Sequence, residues 1–147
     1  MKKIIMIALL SVYILSIFSA SAFAADQSFA FNLPNTGTTY RVYTGASNVK
    51  VYSGDSATVK VTSNNTPGWG MAFCMKHWNG YDQTGNPDYQ IDTVTSPAYW
   101  VSGTRTVNPA YLSGHNVTGR AYYVAARIDS DLTGTYSSAG MFNSDET

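Results

Sequence analysis

The chain has 147 residues, nine Lys or Arg against nine Asp or Glu, and a formal net charge of zero. Binding to a phosphate backbone needs clustered Lys and Arg; none occurs here, which excludes nucleic acid as a partner. The single cysteine, Cys74, cannot make an internal disulfide, so the fold must stand on a packed core.

Residues 1–24, MKKIIMIALLSVYILSIFSASAFA, start with Lys2 and Lys3, run apolar without a break from Ile4 to Leu10, stay mostly apolar to Phe18 and end in small residues. Ala22-Phe23-Ala24 fits the small-x-small rule for signal peptidase, so the segment reads as a secretory signal peptide cut before Ala25. A retained anchor is the competing reading, because the apolar stretch approaches the roughly 20 residues of a spanning helix. Cleavage leaves residues 25–147 as one domain with seven basic and nine acidic groups. The expected location is secreted, extracellular or bound to the cell envelope, with no stable membrane insertion after cleavage.

From Ser28 onward the hydrophobic period is two, the pattern of half-buried strands. Phe29, Phe31 and Leu33 share one face; PNTG then turns the chain. In TYRVYT, Tyr40 and Val42 alternate with Arg41 and Tyr43; in NVKVY, Val49 and Val51 alternate with Lys50; in TVKVT, Val59 and Val61 alternate with Lys60. TGAS and SGDS supply tight turns between them, so this part reads as a meander of short antiparallel strands with one polar face. RVYTG and KVYSG, nine residues apart, fit successive strands of one sheet.

A longer run from Trp69 to Trp78 follows, then the turn-rich loop NGYDQTGNPD. YQIDTV and AYWV resume strand character. NPAYLSG reads as one helical turn, with Asn108 as cap, Pro109 first and Gly114 closing. In AYYVAARI, Tyr122, Val124, Ala126 and Ile128 face one way and Tyr123, Ala125 and Arg127 the other. With no sustained helical period anywhere, the predicted fold is all-β, a two-layer antiparallel β-sandwich.

FCMKHWNG holds Cys74 with His77 three residues on. In a strand that odd spacing points the two side chains to opposite faces, so they cannot form a catalytic dyad. Cys74 is then a small buried hydrophobe beside Ala72, with a crosslink between chains as its other use. One Cys and two His lack the paired spacings of a zinc site. DSDLTG, Asp129 to Gly134, matches the start of a calcium loop through Asp129, Asp131 and Thr133, but Gly140 stands at the twelfth place, where a bidentate Glu belongs. The competing reading is a strand-connecting turn that needs Asp and Gly. Asn64 and Asn116 begin glycosylation sequons. No nucleophile elbow, phosphate loop or nucleotide fingerprint occurs, so neither a catalytic residue nor a cofactor is expected.

Ten Tyr, three Trp and four Phe follow the leader. Phe29, Phe31 and Tyr122 alternate correctly for a core, while Tyr43, Tyr52 and Tyr123 fall on the polar phase of their strands. Trp78 and Tyr81 bracket a loop and Trp100 follows SPAY, which makes these three the candidate ligand-binding residues. Aromatics among amides and hydroxyls form the flat, hydrogen-bonding surface on which sugar rings and wall polymers bind, and Tyr also serves protein interfaces. Cross-strand pairing is the plainer role for exposed Tyr.

The apolar leader, the strand FAF, the pair Tyr40-Arg41, a Gly-rich middle and a closing strand into GMFNSDET together resemble a family of small secreted bacterial proteins of unknown function. That resemblance implies secretion and an all-β mature domain and carries no catalytic residues. The expected function is therefore a secreted, non-enzymatic β-sandwich that binds cell-wall or extracellular polysaccharide or protein. Two other readings compete: a bacteriocin-like antagonist, against which the balanced charge stands, and an enzyme using Asp82, Asp88 and Asp92.

Overall fold

Alternation of apolar and polar residues dictates strands, and ten of them form among the described residues. The computed structural model describes residues 25–34, 40–68, 70–77, 92–95 and 99–145. The expected signal segment lies outside these residues. The strands are β1 (Gln27–Pro34), β2 (Arg41–Val42), β3 (Asn48–Val49), β4 (Thr58–Asn64), β5 (Met71–His77), β6 (Asp92–Thr93), β7 (Tyr99–Val101), β8 (Arg105–Val107), β9 (Ala121–Ile128) and β10 (Thr135–Asn143). All pairings are antiparallel, and no helix occurs among the described residues.

Two sheets pack face to face as a β-sandwich. One has the order β1-β10-β4-β8; the other runs β2-β9-β5-β6, with β3 also beside β9 and β7 beside β5. Phe29, Phe31, Leu33, Val59, Val61 and Phe142 come from the first sheet. They meet Met71, Phe73, Met75, Tyr122, Val124, Ala126 and Ile128 from the second. Phe29 and Phe73 cross the interface with ring centroids 5.7 Å apart. Full burial of each such side chain stabilises by about 1.5–3 kcal/mol.

The predicted inward phases of β1, β4 and β9 agree with this core. The expected meander does not form: β2 and β3 both lie along β9, and β4 sits in the other sheet between β10 and β8. Local turns did not decide the pairing, because β9 offers eight residues of apolar edge to two short strands that offer two each. NPAYLSG makes no helical turn; Ala110 and Tyr111 form single bridges to Ser56 and Thr95. The phase of NVKVY is inverted, with Lys50 fully buried and Val49 half exposed. Tyr43, expected outside, packs against the core edge-on to Phe31, with centroids 5.8 Å apart.

The strand order also joins the two ends of the domain. β10, the last strand, is central in its sheet and pairs with β1, the first. The β10–β4 register shifts between Ala139 and Gly140. A Cβ at Gly140 would collide with the Lys60 carbonyl and reach within 2.9 Å of Phe29 Cζ, so the close approach requires glycine there.

Candidate functional site

In β5 the odd-numbered Met71, Phe73 and Met75 enter the core, which turns Ala72, Cys74 and Lys76 to the outer face of their sheet. Ala72 pairs with Trp100 of β7 on one side and with Arg127 of β9 on the other. Arg41 pairs with Ala126, so Tyr40 continues the same row beyond Arg127. The row therefore reads Trp100, Ala72, Arg127, Tyr40 across the sheet. The small Ala72 leaves room for its neighbours to close over it. Arg127 Cζ lies 5.0 Å from the Trp100 ring centroid and 5.2 Å from that of Tyr40. Lys76, four residues along β5 from Ala72, also reaches the Tyr40 ring, with Nζ 5.3 Å from its centroid.

Beneath these side chains the floor is small: Ala72, Cys74 and Ala125 are fully buried although they point away from the core. Burial pushes the Cys74 thiol up to about 12, against which Lys76 and Arg127 pull only weakly. Cys74 is thus a protonated, inert filler at neutral pH rather than a nucleophile. His77 faces the core side, where its Nδ1–H donates to the Ala121 carbonyl at 3.0 Å and its ring meets Tyr122. The opposite facing expected of Cys74 and His77 is what the strand produces. Burial first, then repulsion from the Cys74 thiolate once that group ionises at high pH, raises the Tyr40 phenol above its usual value, and the charge of Arg127 and its side-chain hydrogen bond with Tyr40 oppose the rise.

A second polar cluster closes one end of the sandwich. Lys50 Nζ donates to the Ser144 carbonyl at 3.0 Å and to Asp145 Oδ1 at 3.1 Å, and lies 4.5 Å from the Tyr111 ring centroid. The Asp145 carboxylate also accepts the backbone N–H groups of Val51 (2.9 Å) and Tyr52 (3.1 Å). Asn48 Oδ1 accepts from Ser144 N–H and from the Ser144 hydroxyl, while Asn48 Nδ2 donates to the Ala25 carbonyl. Tyr111 donates its hydroxyl to Ser144 O at 2.7 Å; burial first, then Tyr122 and Asp145, raises its pKa. These groups satisfy one another, so the cluster is a latch that holds the chain's last described residues, not a vacant binding site. Sequence reasoning missed it because Lys50 and Asp145 stand 95 residues apart and the alternation in NVKVY assigns Lys50 to solvent.

Of the three candidate ligand-binding residues, Trp100 lies on the outer row described above, partly exposed; Trp78 and Tyr81 lie outside the described residues. Tyr40 and Arg127 were not foreseen as partners of Trp100. Asp129, Asp131 and Thr133 form the turn between β9 and β10, where Asp129 Oδ1 accepts the Asp131 N–H at 3.1 Å. No three His, Cys, Asp or Glu gather as a metal-binding group among the described residues. The amides of both sequons are engaged: Asn64 Nδ2 donates to Val101 O, and Asn116 Nδ2 to Ser53 O at 2.8 Å. Asp82 and Asp88 lie outside the described residues, and Asp92 begins β6 opposite His77.

No protein-family model matches the chain. No curated protein and no solved structure matches it either.

Proposed function

We propose that this is a secreted, non-enzymatic β-sandwich that binds polymers of the cell envelope or the extracellular medium. The reading rests on the outer row of the second sheet, where Trp100, Arg127 and Tyr40 stand side by side over a floor of small residues. Rigid rings beside a cation give contact area with little entropy lost on binding, because two torsions define each aromatic side chain. The hydrophobic leader of residues 1–24 supports export.

The test is co-sedimentation of the protein, purified after expression of the full chain, with isolated cell walls while its tryptophan fluorescence is followed. Saturable retention that Trp100→Ala reduces, with an unchanged melting temperature, supports the reading. Absence of retention, or equal loss of retention and stability in the variant, counts against it and returns Trp100 to a packing role.

A further inference from the structure

Sheets accept further strands at their edges, where one row of backbone N–H and C=O groups has no ladder to join. Among the described residues most edges are short: β2, β3 and β6 have two residues each, β7 and β8 have three, and β8 carries the charged Arg105. β1 differs. It runs for eight residues, Gln27–Pro34, on the outside of the first sheet, contains no charged residue and keeps an unbroken register with β10, so neither charge nor bulge blunts it.

The hydrogen bonds of β10 fix which way the groups of β1 point. In an antiparallel pair, alternate residues exchange both bonds with the residue opposite, and those between turn theirs away. Asn32 stands opposite Ser137, whose N–H donates to Asn65 Oδ1 at 2.7 Å and whose carbonyl accepts from Asn65 N–H at 3.1 Å, both on the β4 side. Ala30 stands opposite Ala139, whose carbonyl accepts from Thr62 Oγ1 on that same side. Asn32 and Ala30, with Ser28 in the same phase, therefore turn N–H and C=O to the free edge, and all are exposed. Pro34, next in that phase, has no N–H to donate and costs the β10 ladder nothing.

We propose that β1 is a self-association edge, through which two copies of this chain pair antiparallel about a twofold axis at Ala30. Directly opposed residues must share a face, so the axis passes through a residue of the strand rather than between two. Centred on Ala30, each outward N–H meets an outward C=O, with Ser28 opposite Asn32 of the second copy and Phe29 opposite its Phe31. Small and polar side chains then meet on the outer face and aromatic ones on the core side. A twofold sets every charge near its axis close to its own copy, which is why a strand free of charge suits a second copy of itself. β1 lies in the sheet that lacks Trp100, so this pairing and polymer binding can each hold without the other.

The experiment follows molar mass by sedimentation velocity over a roughly hundredfold range of concentration, for the protein purified after expression of the full chain and for Ala30→Pro and Ala30→Lys. The unaltered protein is expected to shift from monomer to dimer as concentration rises, with the Ala30 amide exchanging more slowly with deuterium in the dimer. Ala30→Pro removes an N–H that faces away from β10, and Ala30→Lys sets two ammonium groups opposite each other on the exposed face. Each is expected to raise the dimer dissociation constant at least about tenfold while the melting temperature of the dilute monomer stays unchanged. A monomer at every concentration overturns the proposal and leaves the edge to a strand from another protein. A dimer that either variant leaves intact overturns it too, since another surface would then hold the copies. If Ala30→Pro does not fold, Ala30→Lys decides, because its side chain touches neither the core nor the β10 ladder.

Discussion

Replacing Asp145 by Ala tests whether the buried latch holds the sandwich closed. The substitution removes the carboxylate that pairs with Lys50 Nζ at 3.1 Å and that accepts the Val51 and Tyr52 N–H groups. Lys50 has no access to solvent, so its ammonium would stay buried with only the Ser144 carbonyl and the Tyr111 ring for company. Removing one member of a buried pair costs about 3–5 kcal/mol, because the other charge is left uncompensated. That is a large share of the ~5–15 kcal/mol by which domains are stable. Followed by tryptophan fluorescence in urea, with a slope of about 2 kcal/mol per molar, the loss lowers the unfolding midpoint by roughly 2 M. Lys50→Met is expected to cost less, since it removes the charge, keeps the bulk, and leaves Asp145 its two backbone donors. A midpoint for Asp145→Ala within about 0.3 M of the unaltered protein, or a larger loss for Lys50→Met, would refute the reasoning.

Three further outcomes follow from the same structure. The Cys74 thiol is raised in the fold from 9.0 to about 12, so between these values the unfolded chain has lost a proton that the native one keeps; stability is full below pH 9 and declines as pH rises towards 12. Raised Tyr40 and Tyr111 steepen the decline above pH 10, and Cys74→Ala, read by urea midpoints across pH 8 to 11, delays its onset. At pH 8 a thiol reagent such as a disulfide dye labels Cys74 only as fast as the protein opens, and immediate stoichiometric labelling of native protein would contradict its burial. Gly140→Ala forces a methyl into the Lys60 backbone and Phe29 and is expected to destabilise by at least about 1–3 kcal/mol in the same urea assay, whereas no change would mean the β10–β4 bulge relaxes freely.

Local chemistry decided much of this protein before any tertiary contact. Alternation placed Phe29, Phe31 and Leu33, then Val59 and Val61, and then Tyr122, Val124, Ala126 and Ile128 on inward faces, because a pleated strand offers no other way to bury every second residue. The odd spacing of Cys74 and His77 separated them for the same reason. Partner choice was not local. Pairing compares edges far apart in the chain, so β2 and β3 went to β9 rather than to each other, and the last strand came to lie beside the first. The two-residue β3 had no phase strong enough to resist the long-range Asp145, which drew Lys50 inward and turned Val49 out. The candidate site divides the same way. Trp100 stood out as an aromatic in a polar setting, but its neighbours Arg127 and Tyr40 were brought to it by the register of β7, β5, β9 and β2, with Ala72 as the small residue between. Periodicity is a property of a segment and is written in it, whereas adjacency belongs to the closed sandwich.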